Sequence, residues 1–190
     1  MAMRLRKAKA TEVIAPYAGA VVDIEVMRRR HVRAVTMIEN QIFPRPWSAA
    51  LYYSELAQPA TRLYYVATVQ GEVVGYCGAM LIAGEAHVTT VGVAPEWQRR
   101  RVGLRLFHRL VSDAVERGAE SLTLEVRVTN HGAQELYRSF GFAPAGIRKN
   151  YYAEVNEDGL VMWAHDVHTE EYAQRLAELG KKIAEPEDEQ

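Results

Sequence analysis

The apolar positions change period several times along the chain, and each change marks an element. "AVVDIEVM" (20–27) reads as a strand. "RRRHVRAVTMIENQIF" (28–43) puts Val32, Val35, Ile38 and Ile42 at spacings of three and four, the stripe of an amphipathic helix. "PRPW" (44–47) ends it, because proline lacks an N–H and disfavours helix in the residue before it. Ser48 then caps a second helix, "AALYYSELA", with Leu51 and Leu56 partly inward. Three strands follow: "RLYYVATV" (62–69), "VVGYCGAMLI" (73–82) and "AHVTTVGVA" (86–94), joined by turns at Gln70-Gly71-Glu72 and "AGE" as an antiparallel meander. Residues 103–117 carry Leu106, Phe107, Leu110, Val111, Ala114 and Val115 at helical period and end at a glycine cap in "RGAE". "SLTLEVRV" (121–128) is a strand and "NHGAQELYRSFG" (130–141) a short helix. "FAPAGIRKNYYA" and "DGLVMWAHDV" are the last two strands, and "TEEYAQRLAELGKKIAEPEDEQ" is a polar helix running into a charged tail.

That order predicts an α+β, or mixed α/β, fold with helices packed on one sheet. Its 190 residues suit one domain. The expected division is a disordered extension over 1–19, one domain over 20–168, and a helix and charged tail over 169–190.

Hydrophobic residues make up 48% and charged residues 25%, an ordinary globular balance. Lys+Arg is 23 against Asp+Glu 24, a net charge of −1, so any basic patch must be local. No apolar run approaches the length of a membrane span. The basic start "MAMRLRKAKA" has no apolar segment directly behind it and is not a secretory signal. With one cysteine, Cys77, no internal disulfide can form, and a reducing cytoplasmic setting fits. Cys77 sits among strand residues and reads as a small core side chain. The six histidines are scattered, so no metal site is expected. Arg28-Arg29-Arg30 and Arg99-Arg100-Arg101 lack the interleaved aromatics of a single-strand binder, and no direct nucleic-acid contact is expected.

Candidate chemistry begins at "VAPEWQRRRVGLRL" (93–106), where a strand passes through a short loop into a helix. The first N–H groups of a helix have no intrahelical partner and lie at the positive end of its dipole, and glycine lets an anion approach the backbone. The stretch fits neither G-x-x-x-x-G-K-[ST] nor G-x-G-x-x-G. Taken alone, a solvated charged helix start and an anion cradle fit it about equally well.

Element order and loop together resemble the GNAT acyl-CoA N-acyltransferases, whose loop pattern is [QR]-x-x-G-x-[GA]. "QRRRVG" follows it from Gln98 to Gly103, with Arg101 in place of the first glycine. "LTLEVRVTNHGAQELYRSFGF" resembles the "LEVR-x-x-N-x-x-A-x-x-LY-x-x-x-GF" signature of the RimI branch. "IENQIFPRPWS" and "IRKNYYAEVNEDGLVMW" are similar to two further segments of that branch, and the likeness covers roughly residues 22–168. The resemblance implies a mostly antiparallel sheet of about seven strands flanked by about four helices. It implies acetyl-CoA as co-substrate, no metal, and acetyl transfer to the N-terminal amine of a small-subunit ribosomal protein, whose N-terminal segment would be the partner. Alternatives on the same fold are a lysine or small-amine acetyltransferase and a non-catalytic acyl-CoA-binding module; Arg101 in place of glycine favours the latter.

The resemblance also implies roles. Glu125 would be the general base and Tyr137 the general acid. Val91, Gly92 and Val93 would bind the pantetheine arm through their backbone. Arg99, Arg100, Arg101, Val102, Gly103 and Leu104 would hold the pyrophosphate, and Asn130 would touch the cofactor. Read from the residues alone, Asn130 also suits a helix N-cap, Tyr137 a core aromatic and Glu125 a strand surface. The cradle survives Arg101 unless that position needs positive φ, and its side chain is expected to face solvent or the phosphates. The acceptor would lie between Pro44–Ser48 and the hairpin tip near Asn150–Asp158, where Glu154, Glu157 and Asp158 either attract a basic peptide or solvate a turn, and Trp47 is either a packing anchor or a substrate wall.

Overall fold

The structure is a computed structural model that describes residues 21–184. The expected disordered extension over 1–19 and the end of the charged tail lie outside the described residues. Seven strands form one sheet in the order β1-β2-β3-β4-β5-β7-β6: β1 (Asp23–Val26), β2 (Arg62–Val69), β3 (Glu72–Ile82), β4 (Glu85–Val93), β5 (Ser121–Arg127), β6 (Ala143–Tyr152) and β7 (Glu157–Ala164). Five α-helices accompany it among the described residues: α1 (Val32–Ile42), α2 (Ala49–Leu56), α3 (Val102–Glu116), α4 (His131–Ser139) and α5 (Glu170–Ala184). Every strand pair is antiparallel except β4 with β5.

The meander closes through two-residue turns, Gln70-Gly71 and Ala83-Gly84, with all four residues at positive φ. That geometry matches the twist of the strands it joins. The period of two then sorts side chains between the faces. On β2 and β3, Tyr64 and Tyr76 face α1 and α2, where Tyr64 Oη donates to Glu55 Oε2 at 3.0 Å and Tyr76 Oη to Glu39 Oε1 at 2.7 Å. Tyr65 and Cys77 face α3: the Tyr65 hydroxyl donates to Asp113, and Cys77 Sγ to the Leu106 carbonyl at 3.5 Å. Cys77 is therefore a packed core residue, and burial pushes its thiol pKa well up. With helices on both faces, β2 is buried along almost its whole length, which explains its unbroken apolar run.

Ser48 caps α2 as its spacing predicts, accepting from Leu51 N at 3.2 Å. Leu51, expected partly inward, is instead exposed, and Tyr52 takes the buried place. The C-terminal helix also departs from a purely polar reading. Tyr172, Leu176 and Leu179 form an apolar stripe on α5 that is buried against the domain.

Candidate active site

The site begins where the sheet stops being continuous. β4 pairs with β5 only from Glu85–Ser121 to His87–Thr123, and beyond that point the two strands part. A register shift between Gly78 and Ala79 on the β3 side leaves Thr89 as an extra residue in β4. Such a bulge bends and twists the strand that carries it. The β5-facing backbone of β4 past His87, including Val91, Gly92 and Val93, thus has no strand partner. An extended chain with its own amide groups fits such an open edge.

At the outer end of β4, Gln98 Nε2 donates to the Val93 carbonyl at 3.1 Å and folds the following loop back on the strand. Arg99 and Arg101 both adopt positive φ, 62° and 54°. Arg101 occupies the N-cap of α3 in the left-handed region without a side-chain cap. The first helical bond runs from Arg105 N to Arg101 O, so no helical carbonyl takes the N–H groups of Val102, Gly103 and Leu104. The first turn holds no acidic residue that would compete for an anion. A Cβ at Gly103 would meet only Leu136 and Val93 side chains, at 3.7 and 3.8 Å. These residues fit a pyrophosphate. The position of Arg101 does need positive φ, and the arginine adopts it. Its side chain lies at an exposed site, as expected, and there Nη1 donates to the Lys182 carbonyl of α5 at 3.0 Å. The Arg100 guanidinium lies over the Trp97 ring at 5.6 Å.

At the apex of the opening stands Glu125, two residues beyond the last β4–β5 pair. Its side chain is only 4% exposed. Oε2 lies 3.1 Å from His87 Nε2 and Oε1 2.9 Å from Arg148 Nη1. The His87 hydrogen bond, and after it the charges of His87 and Arg148, hold the carboxyl below the usual glutamate range against the opposing effect of burial. His87 and Arg148 were not assigned roles from the sequence. Arg148 was within reach as the arginine of "IRKNYY"; His87 carried no signal until strand register set it opposite Glu125.

Tyr137 projects from α4 into an aromatic cluster, its ring 5.0 Å from Phe107 and 6.1 Å from Phe142. Among the described residues its hydroxyl has no protein hydrogen-bond partner. Burial raises its pKa, and neighbouring Tyr152 adds to the shift. Tyr152 Oη in turn donates to the Glu125 carbonyl at 3.1 Å, and burial pushes this phenol up to about 12. Tyr152 thus links the neighbourhoods of Glu125 and Tyr137. Asn130 is the N-cap of α4, with Oδ1 accepting from Ala133 N at 3.2 Å. Nothing in that geometry uses its amide nitrogen.

On the other face, Glu39 is a further residue that the pattern of the chain did not expose. It is 1% exposed, and its Oε1 accepts from the Tyr52 and Tyr76 hydroxyls at 2.5 and 2.7 Å. Its Oε2 accepts from Trp47 N at 3.2 Å. Glu39 therefore ties the Pro44–Ser48 loop to β3. Gly92, paired across from Tyr76, leaves room for that phenol: a Cβ there would lie 2.4 Å from Tyr76 Oη. The Trp47 ring leans on Tyr52 at 5.5 Å, so it packs the loop onto α2. Two of the three acids at the hairpin tip are engaged locally. Asp158 accepts from Lys149 Nζ at 2.7 Å and Asn150 N at 2.8 Å, while Glu157 accepts from the Thr129 hydroxyl and lies 3.7 Å from Arg127 Nε. Among the described residues no group of three or more His, Cys, Asp or Glu could hold a metal ion, and no helix is long and apolar enough to cross a membrane.

Comparison with known proteins gives this geometry a context. Residues 32–142 match the Acetyltransferase (GNAT) family. A putative [ribosomal protein bS18]-alanine N-acetyltransferase of Bacillus subtilis is 40% identical over 137 residues, 72% of this chain and 91% of that protein. The [ribosomal protein bS18]-alanine N-acetyltransferase of Salmonella typhimurium is 31% identical over 141 residues, 73% of this chain and 94% of the relative. The crystal structure of the ribosomal-protein-S18-alanine N-acetyltransferase from Escherichia coli superposes with a TM-score of 0.70 at 30% identity, covering 77% of this chain and 94% of that one.

Proposed function

The chain belongs to the GNAT acetyltransferase family, and from that premise we propose that it transfers the acetyl group of acetyl-CoA to the N-terminal α-amine of a protein, the N-terminal alanine of ribosomal protein bS18. The observation that carries this reading is the opening between β4 and β5, with the buried Glu125–His87 pair at its apex and the unpaired α3 N–H groups at its mouth. The likeness to bS18-alanine acetyltransferases over nearly their full length supports the choice of acceptor. A ribosomal acceptor puts the reaction in the cytoplasm.

Acetyl-CoA, when bound, supplies a thioester carbonyl activated towards a neutral amine. Val102, Gly103 and Leu104 hold its pyrophosphate through their N–H groups, and the free edge of Val91–Val93 lines its pantetheine arm. An α-amine with a pKa of about 7.7–8.0 is roughly a quarter free base near pH 7.4, whereas a lysine of about 10.4 is only about 0.1% free. Modest help from a base therefore suffices for an N-terminus. Both Glu125 oxygens are engaged, while the His87 side chain is 30% exposed. A carboxylate has about four lone-pair sites, so Glu125 can still take the proton of the incoming amine, directly or through a water, while His87 and Arg148 hold it in place. A backbone N–H near Val93 would stabilise the oxygen that becomes negative. Tyr137, kept protonated by burial, gives its hydroxyl proton to the departing sulfur.

The arginine at position 101 would favour a mere acyl-CoA-binding module only if it disrupted the loop, and it takes the left-handed conformation open to glycine. Mass-spectrometric acetylation of peptides with the bS18 N-terminal sequence, with and without a blocked α-amine, tests the reading. Acetylation confined to free α-amines is expected. Equal modification of a lysine peptide whose α-amine is blocked would overturn it.

A further inference from the structure

The C-terminal helix lies wholly outside the segment that matches the family, yet it reaches the loop where this chain departs from the family pattern. Its apolar stripe packs on α3, where the Leu176 carbonyl and His108 Nε2 are 2.9 Å apart. Gly180 faces the same histidine: a Cβ there would be 3.4 Å from His108 Nε2. At its other end α5 holds α4, with Tyr172 Oη donating to the Phe140 carbonyl at 2.8 Å. The last turn of a helix presents carbonyls that no helical N–H can reach. One of them, Lys182 O, is the acceptor of Arg101 Nη1.

We propose that α5 is a brace for the pyrophosphate loop: the Arg101–Lys182 carbonyl bond holds Arg101 in the left-handed region and so keeps the N–H groups of Val102–Leu104 turned to one point. A glycine enters that region without strain. An arginine is strained there, and a bond that fixes its side chain offsets part of that strain. Arg101 and α5 thus work as a pair, a positioning device in place of a permissive residue. A preorganised loop binds its ligand more tightly because less order is lost on binding. The proposal rests on the reading of this loop as the acetyl-CoA site.

The test is a double-mutant cycle in the full chain. Leu179 belongs to the buried stripe of α5 and has no role in the proposed chemistry. Acetyl-CoA dissociation constants are measured by calorimetry at fixed salt for the wild type, Leu179→Asp, Arg101→Gly and the double variant. Leu179→Asp is expected to weaken binding about tenfold, or about 1.4 kcal/mol, and to raise the acetyl-CoA KM in parallel with kcat nearly unchanged. In the Arg101→Gly background the same substitution is expected to cost less than about twofold. Equal losses in both backgrounds, or none in either, would overturn the brace. Leu179→Ala runs the same cycle at smaller amplitude if the aspartate variant does not fold. Amide hydrogen exchange over residues 101–105 without any ligand gives a second readout: undocking α5 should speed exchange only where Arg101 is present. If the wild type binds no acetyl-CoA, the functional reading fails, while the exchange cycle still decides whether the brace exists.

Discussion

Glu39→Ala is expected to cost this protein about 3 kcal/mol of stability and to loosen the acceptor side of the site. The carboxylate is the shared acceptor of the Tyr52 hydroxyl, the Tyr76 hydroxyl and the Trp47 N–H. The Thr90 hydroxyl, at 3.5 Å, is too far to count. Stranding a buried donor costs about 1–3 kcal/mol, so three donors at the low end already give about 3 kcal/mol before any cavity effect. Glu39→Gln should cost less, about 2 kcal/mol, because one acceptor oxygen survives while the new amide faces donors. Urea unfolding with an unchanged m-value measures both. Loss of the Trp47 tie should raise the KM for an acceptor peptide more than it lowers kcat. A loss below about 1 kcal/mol in Glu39→Ala would mean that the tyrosines find other partners at little cost, and the argument from stranded donors would be wrong.

Tyr137→Phe should reduce kcat by roughly 10²- to 10⁴-fold; its thermal midpoint should stay near that of the wild type, because the hydroxyl has no protein partner to lose. A large drop in midpoint would return Tyr137 to a purely structural role. His87→Ala should slow acetyl transfer at neutral pH and leave acetyl-CoA affinity nearly unchanged, as calorimetry and steady-state kinetics on one sample would show. Glu125 carries a depressed pKa through His87 and then Arg148, so its contribution is present above the ordinary glutamate value of about 4.3 and fades as pH falls through the lower folded value. Urea unfolding should therefore show Glu125→Gln destabilised near neutrality, with the gap to the wild type closing in acid; a gap that widened in acid would reverse the sign of this linkage. Gly92→Ala should cost about 1–3 kcal/mol by forcing Tyr76 aside, read as a lower urea midpoint.

Periodicity carried most of the fold because each element buries its own face. The stripe of Val32, Val35 and Ile38 and the alternation in β4 need no distant information. α2 is different: in "AALYYSEL" apolar residues point several ways, so its phase is ambiguous, and only the Glu39 carboxylate decides that Tyr52 turns in rather than Leu51. Glu39 itself reads as an ordinary helix residue between Ile38 and Asn40, since its three partners come from three other segments. The parting of β4 and β5 was equally hidden, for both strands carry normal strand patterns and the break lies in their pairing. His87 became a site residue only through that pairing. α5 was legible as a helix, but its many charges masked the Tyr172–Leu176–Leu179 stripe that docks it.

The arginine in the phosphate loop follows from the same distinction between local and distant causes. A non-glycine residue in the left-handed region costs about 1–3 kcal/mol, and locally that argues against Arg101. A hydrogen bond from a charged donor contributes about 1.5–3 kcal/mol when well shielded and less at an exposed site such as this. The two effects are therefore of similar size, and the loop can keep the backbone geometry of a glycine without one. What the substitution requires is an acceptor in the right place, and that acceptor lies 81 residues further on, at the end of a helix beyond the family match. Residue 101 and helix α5 should accordingly be exchanged together. Transplanting this loop onto a relative without such a helix should weaken acetyl-CoA binding, and restoring glycine at the same position should recover it.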